Sequence, residues 1–127
     1  MIMPAGTRLG PYEVLVRLGE GGMGEVYQVR DTRLGRLAAL KVIRGDYAAN
    51  PERRRRFIRE AQSASALNHP NILTIYEIGT AGGLDYIAME YVAGATLAGI
   101  LREGPVGQDR ALRIAAQVAD ALEAAHA

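Results

Sequence analysis

Two hydrophobic periods share this chain. Short segments alternate apolar and polar residues, as half-buried strands do, and longer ones repeat at helical spacing. Strands are expected from Tyr12 to Leu18, interrupted by Gly19, then from Glu25 to Arg30 and from Arg36 to Ile43. Two more are expected from Leu73 to Ile78 and from Leu84 to Tyr91, joined by a turn at Thr80-Ala81-Gly82-Gly83. Asn50-Pro51-Glu52 opens a helix, because Asn caps free amide groups and Pro suits the first helical position. That helix is expected to reach about Leu67, where Asn68-His69-Pro70 stops it. Phe57, Ala61, Ala64 and Leu67 form its inward stripe, with Glu60 alongside. A short helix is expected from Thr96 to Arg102 and an amphipathic one from Gln108 to His126. Residues 1–10 read as a loosely held lead-in.

Composition narrows the picture. With 127 residues the chain lies in single-domain range, and a formal net charge of +1 gives no reason to expect nucleic acid or an anionic membrane as partner. The absence of Cys excludes disulfides, thiolate metal sites and a cysteine nucleophile. No apolar run approaches a membrane span, no secretory signal is read at the start, and a cytoplasmic location is expected. With Trp absent and a single Phe, the core is expected to rely on aliphatic side chains.

Candidate chemistry concentrates between residues 18 and 41. Leu18-Gly19-Glu20-Gly21-Gly22-Met23-Gly24-Glu25-Val26 places a glycine-rich turn between two strands, and Lys41 stands in the strand that follows. Glycines let backbone approach phosphate oxygens without an intervening Cβ, and lysine offers a compact positive charge on a flexible stem. The same glycine spacing occurs in dinucleotide-binding folds, but those need a helix directly after the last glycine. Here Val26-Tyr27-Gln28-Val29-Arg30 is strand-like, so a hairpin covering a nucleoside triphosphate fits and the dinucleotide reading fails. A lysine inside an apolar strand is costly unless paired, which favours a functional role for Lys41.

These motifs resemble the amino-terminal lobe of a bacterial, eukaryotic-like (Hanks-type) Ser/Thr protein kinase. The G-x-G-x-x-G-x-V pattern is matched from Gly19 to Val26, and V-A-I-K by Ala38-Ala39-Leu40-Lys41. Asn68-His69-Pro70-Asn71-Ile72-Leu73 matches the turn such kinases place before their fourth strand. The resemblance implies an α+β fold: a five-stranded antiparallel sheet with one αC-type helix, followed by the first helices of a truncated large lobe. The implied divisions are a lead-in over residues 1–10, an ATP-binding lobe over 11–92, and the hinge exit with two helices over 93–127. ATP is the implied cofactor, with Mg2+ in the complete enzyme, and protein Ser/Thr hydroxyls are the implied substrates.

Residue roles follow from the same resemblance. Lys41 contacts the α- and β-phosphates, and Glu60 pairs with Lys41 to aim it. Gly19, Glu20, Gly21, Gly22, Met23, Gly24 and Glu25 form the lid; Leu18, Val26 and Ala39 press on the adenine and ribose. Met89 lies at the back of the adenine pocket, and the backbone at Glu90 and Val92 bonds the base. Arg53 to Arg56 read as a solvated helical face, His69 and His126 as a turn and a surface residue, and Asp85 and Asp109 as loop and cap residues. The family's catalytic loop and Asp-Phe-Gly metal site find no match, so the chain is expected to be inactive alone, with no metal ligands of its own. An interaction module that dimerises with or regulates other kinases is the alternative, and a truncated gene product a third. The last helix is expected to fray, fold back or self-associate, because Leu112, Ala115, Val118, Ala119, Leu122 and Ala125 form a stripe built to pack on other helices.

Overall fold

The computed structural model describes residues 3–20, 24–43, 45 and 49–127. The chain divides into two compact units: Met1–Ala66 with Thr74–Tyr91, and Leu67–Leu73 with Val92–Ala127. The first unit carries strands β1 (Arg8–Leu9), β2 (Tyr12–Glu20), β3 (Gly24–Asp31), β4 (Arg36–Ile43), β5 (Ile75–Ala81) and β6 (Leu84–Met89), and helix α1 (Pro51–Ser65). The second carries α2 (Leu97–Arg102) and α3 (Gln108–His126).

All strand pairings are antiparallel, in the order β1-β2-β3-β4-β6-β5. The expected sheet is present with one short strand more. Arg8 and Leu9 pair with Glu13 and Tyr12, while Met3 and Leu9 are buried and the Met3 amide donates to the Tyr27 hydroxyl at 3.0 Å. Residues 3–10 are thus tied to the sheet rather than loosely held; two residues are too few for an alternating pattern to register.

Alternation along the strands sorts side chains onto two faces. One face holds the main core, where Tyr12, Val14, Tyr27, Val29, Leu40, Val42 and Tyr86 pack together. Three aromatic rings sit in that cluster, so tyrosine contributes beside the expected aliphatics. The Tyr12 and Tyr86 rings meet edge to face at 5.6 Å, and both hydroxyls donate to the Glu77 carboxylate, at 2.7 and 3.1 Å. On the other face Ile43 and Ile87 pack beneath Phe57 and Ala61 of α1, joined by Ile58, Ile75, Ile78 and Met89.

Local chemistry sets the element ends. The Asn50 side chain accepts from the amides of Glu52 and Arg53 at 3.1 and 3.2 Å, starting α1 where Pro51 allows it. Gly82 and Gly83 both have positive φ and form the two-residue β5–β6 turn that sets Thr80 opposite Asp85. In the second unit, the Thr96 side chain caps α2, and Asn71 donates to the Gln117 carbonyl of α3. Helix α3 is formed to His126, and its apolar stripe stays open: Leu112 is 61% exposed, and Val118 and Leu122 line a groove of about 450 Å3 with Leu97, Leu101 and Val106. No helix among the described residues is long and apolar enough to cross a membrane.

The tyrosine pair makes stability depend on alkaline pH. Burial first, then the bond to Glu77, raises the Tyr12 hydroxyl above its ordinary value, and burial raises Tyr86 as well. A raised folded-state value stabilises fully below the unfolded value of about 10 and is lost as pH climbs through the folded one. Urea denaturation is expected to show stability falling as pH rises above about 10, and Tyr12→Phe is expected to flatten that decline.

Candidate functional site

Strand register assembles the site. In β3 and β4, Val26 lies opposite Lys41 and Gln28 opposite Ala39; in β4 and β6, Lys41 lies opposite Ile87 and Ala39 opposite Met89. Directly opposed residues share a face, so Val26, Ala39, Lys41 and Met89 stand together on the α1-bearing face. Ala39 is buried, and Val26, Lys41 and Met89 are half-buried. In β2, Gly19 lies opposite Val26 and Glu20 opposite Glu25, with a register shift between Arg17 and Gly19. That irregularity holds Leu18, whose side chain is 47% exposed. Gly21, Gly22 and Met23 lie outside the described residues.

The two described lid glycines differ in what they require. A Cβ on Gly24 would fall 1.8 Å from the Val42 carbonyl oxygen, so the sheet itself demands glycine there. A Cβ on Gly19 would meet nothing within 4 Å. The fold leaves Gly19 free, which is what clearance for a ligand calls for. Glu25 is turned away from the site: opposite Val42 on the main-core face, it is buried and accepts a bond from the Tyr27 hydroxyl at 3.4 Å. Glu20 is exposed and pairs with Arg17 at 2.9 Å.

Lys41 is the only lysine in the sequence. Among the described residues no ion pair involves it, and Glu60 is exposed. The expected Lys41–Glu60 pair is therefore not formed in this arrangement, because α1 sits with Phe57 and Ala61 turned to the sheet. At the far end of β6, the Glu90 amide donates to the Thr74 carbonyl at 2.8 Å, and its carboxylate accepts from the Thr74 amide at 3.0 Å. Val92 is exposed and belongs to the second unit.

One cluster departs from the sequence reading. Asp85 is a buried strand residue, not a loop residue, and Arg54 is not merely solvated. Its guanidinium grips the Asp85 carboxylate with two bonds, Nε to Oδ2 at 2.7 Å and an amino group to Oδ1 at 3.1 Å. The Thr80 hydroxyl donates to the same Oδ1 at 2.8 Å. The Arg54 bond, foremost, holds the Asp85 carboxyl below its ordinary value. The Gly82-Gly83 turn could have signalled that Thr80 faces Asp85; nothing in a run of four arginines marks Arg54 as the partner of Asp85.

Residues 12–127 match the family model of the protein kinase domain. Over 126 residues, 98% of the chain, there is 47% identity to the serine/threonine-protein kinase PrkC of Bacillus subtilis. Over 120 residues, 91% of the chain, there is 48% identity to the serine/threonine-protein kinase PknB of Mycobacterium tuberculosis. Each match covers 19% of the relative. The crystal structure of the Mycobacterium tuberculosis PknI kinase domain is similar with a TM-score of 0.84 at 36% identity, over 98% of this chain and 52% of that one. The chain thus spans about a fifth of these relatives and half of the solved domain.

The contrast between the glycines is measurable. Gly24→Ala is expected to cost about 1–3 kcal/mol in chemical denaturation, because a methyl group is forced against backbone. Gly19→Ala is expected to leave stability within about 0.5 kcal/mol of the parent.

Proposed function

The chain belongs to the protein kinase domain family, and on that premise we propose that it forms the ATP-binding portion of a Ser/Thr protein kinase. The observation that carries this reading is the position of the chain's one lysine. Lys41 shares a sheet face with Val26, whose other neighbour is the unobstructed Gly19. In the proposed complex the Lys41 ammonium neutralises the α- and β-phosphates, while backbone around Gly19 closes over them. Leu18, Val26 and Ala39 supply apolar contact to the adenine and ribose, and Met89 the rear wall. Glu90 and Val92 are assigned to the base through their backbone, on the resemblance alone.

The complete enzyme would pass the γ-phosphoryl group of ATP to a protein Ser or Thr hydroxyl, chiefly by positioning and charge neutralisation. That step needs a base for the hydroxyl proton and carboxylates for Mg2+. Among the described residues no group of three or more His, Asp or Glu side chains could hold a metal ion. The part assigned to these residues is to bind and orient the nucleotide. The 127 residues carry no match to the catalytic-loop or metal-site motifs, so alone they are expected to bind ATP without turnover.

Calorimetric titration tests the reading. The parent chain is expected to take up ATP saturably, and Lys41→Ala to weaken it roughly tenfold or more while circular dichroism is unchanged, since a charge-assisted contact contributes about 1.5–3 kcal/mol. Absence of saturable uptake at millimolar ATP would contradict it.

A further inference from the structure

We propose that Arg54, Asp85 and Thr80 form a latch that holds α1 with Glu60 turned away from Lys41, so that the latch must open before those two side chains can pair. The inference rests on the assignment of Lys41 and Glu60 under the proposed function.

Helix geometry places the two ion pairs in opposition. At 3.6 residues per turn, Arg54 and Glu60 lie three residues either side of Phe57 and therefore about 60° to opposite sides of it. Phe57 packs against the sheet through Ile43 and Ile87. A roll of α1 that lowers Glu60 toward the sheet lifts Arg54 away from it. The closed latch stands at one end of that roll, with Arg54 bonded twice to Asp85 and Glu60 exposed.

The latch is anchored on the strand that carries Lys41's neighbour. Asp85 precedes Ile87 by two residues in β6, so both share a face, and Ile87 is directly opposite Lys41. Asp85 is 7% exposed and is held from below by Thr80, its partner across the β5–β6 hairpin. The anchor is rigid, while Arg54 is the end that can leave: its side chain is 44% exposed, so water can receive it. A ligand or partner that favours the rolled state would shift the population in proportion to its preference for that state.

Carbodiimide cross-linking reads the roll directly, because it joins a carboxylate to an amine only in contact, and Lys41 is the chain's one side-chain amine. Mass spectrometry of proteolysed, cross-linked full chain would quantify the Lys41–Glu60 amide, with Glu60→Gln as the blank. Asp85→Asn keeps an acceptor for Thr80 and removes the charge that holds Arg54; it is expected to raise the amide yield severalfold. Arg54→Gln, which removes the two-point grip without adding an amine, is expected to raise it as well, and circular dichroism identifies any variant that fails to fold. Unchanged or lower yield in whichever of these variants folds would overturn the latch; a merely structural clasp would lower the melting temperature and leave the yield alone. Failure of the parent to bind ATP would instead overturn the functional reading and leave this comparison intact.

Discussion

The register of the β2–β3–β4–β6 ladder is the constraint on which the rest depends. Side chains alternate between faces with a period of two, so a slip of one residue in β4 would send Lys41 to the opposite face and bring Leu40 and Val42 out of the core. The observed register, with Val26, Lys41 and Ile87 in one row, is fixed from the core side. Tyr27, Val29, Ala38, Leu40 and Ala88 are all fully buried there, and each Leu-sized side chain so buried contributes roughly 1.5–3 kcal/mol. Packing on one face thereby aims the chemistry on the other.

The β5–β6 hairpin is the second organiser, and it serves both faces. On the core face the Tyr86 ring lies over Gly79, where a Cβ would fall 2.6 Å from its hydroxyl, and that hydroxyl reaches Glu77. On the other face Asp85 receives Arg54. A single two-residue glycine turn sets the register of both arrangements, so the seat of α1 and the tyrosine network share one geometric origin. Sheet packing and helix position are in this way connected through a few cross-strand pairs.

Much of this was legible in the sequence, for physical reasons that can be named. The strands carrying the core alternate cleanly, the Asn50-Pro51 start obeys capping chemistry, and the glycine–lysine spacing is too specialised to be filler. What escaped was long-range and polar. β1 is two residues long and carries no pattern. Gly24 looked like a lid glycine, yet its small size is required by the Val42 carbonyl in the neighbouring strand. Glu25 looked like part of the lid and is a buried core carboxylate. Arg54 and Asp85 are 31 residues apart, and no periodicity links them. Only the fold discloses that Arg54 is the partner Asp85 takes.

The central claim is that a nucleotide is held on the sheet face that displays Lys41. With a single lysine in the chain, selective 15N-lysine labelling gives one backbone amide signal for that strand, and uniform labelling adds Gly19, Val26 and Met89. The account predicts that adding ATP shifts these four signals together and saturably. A titration that leaves them in place, or that moves only signals from α2 and α3, would contradict it.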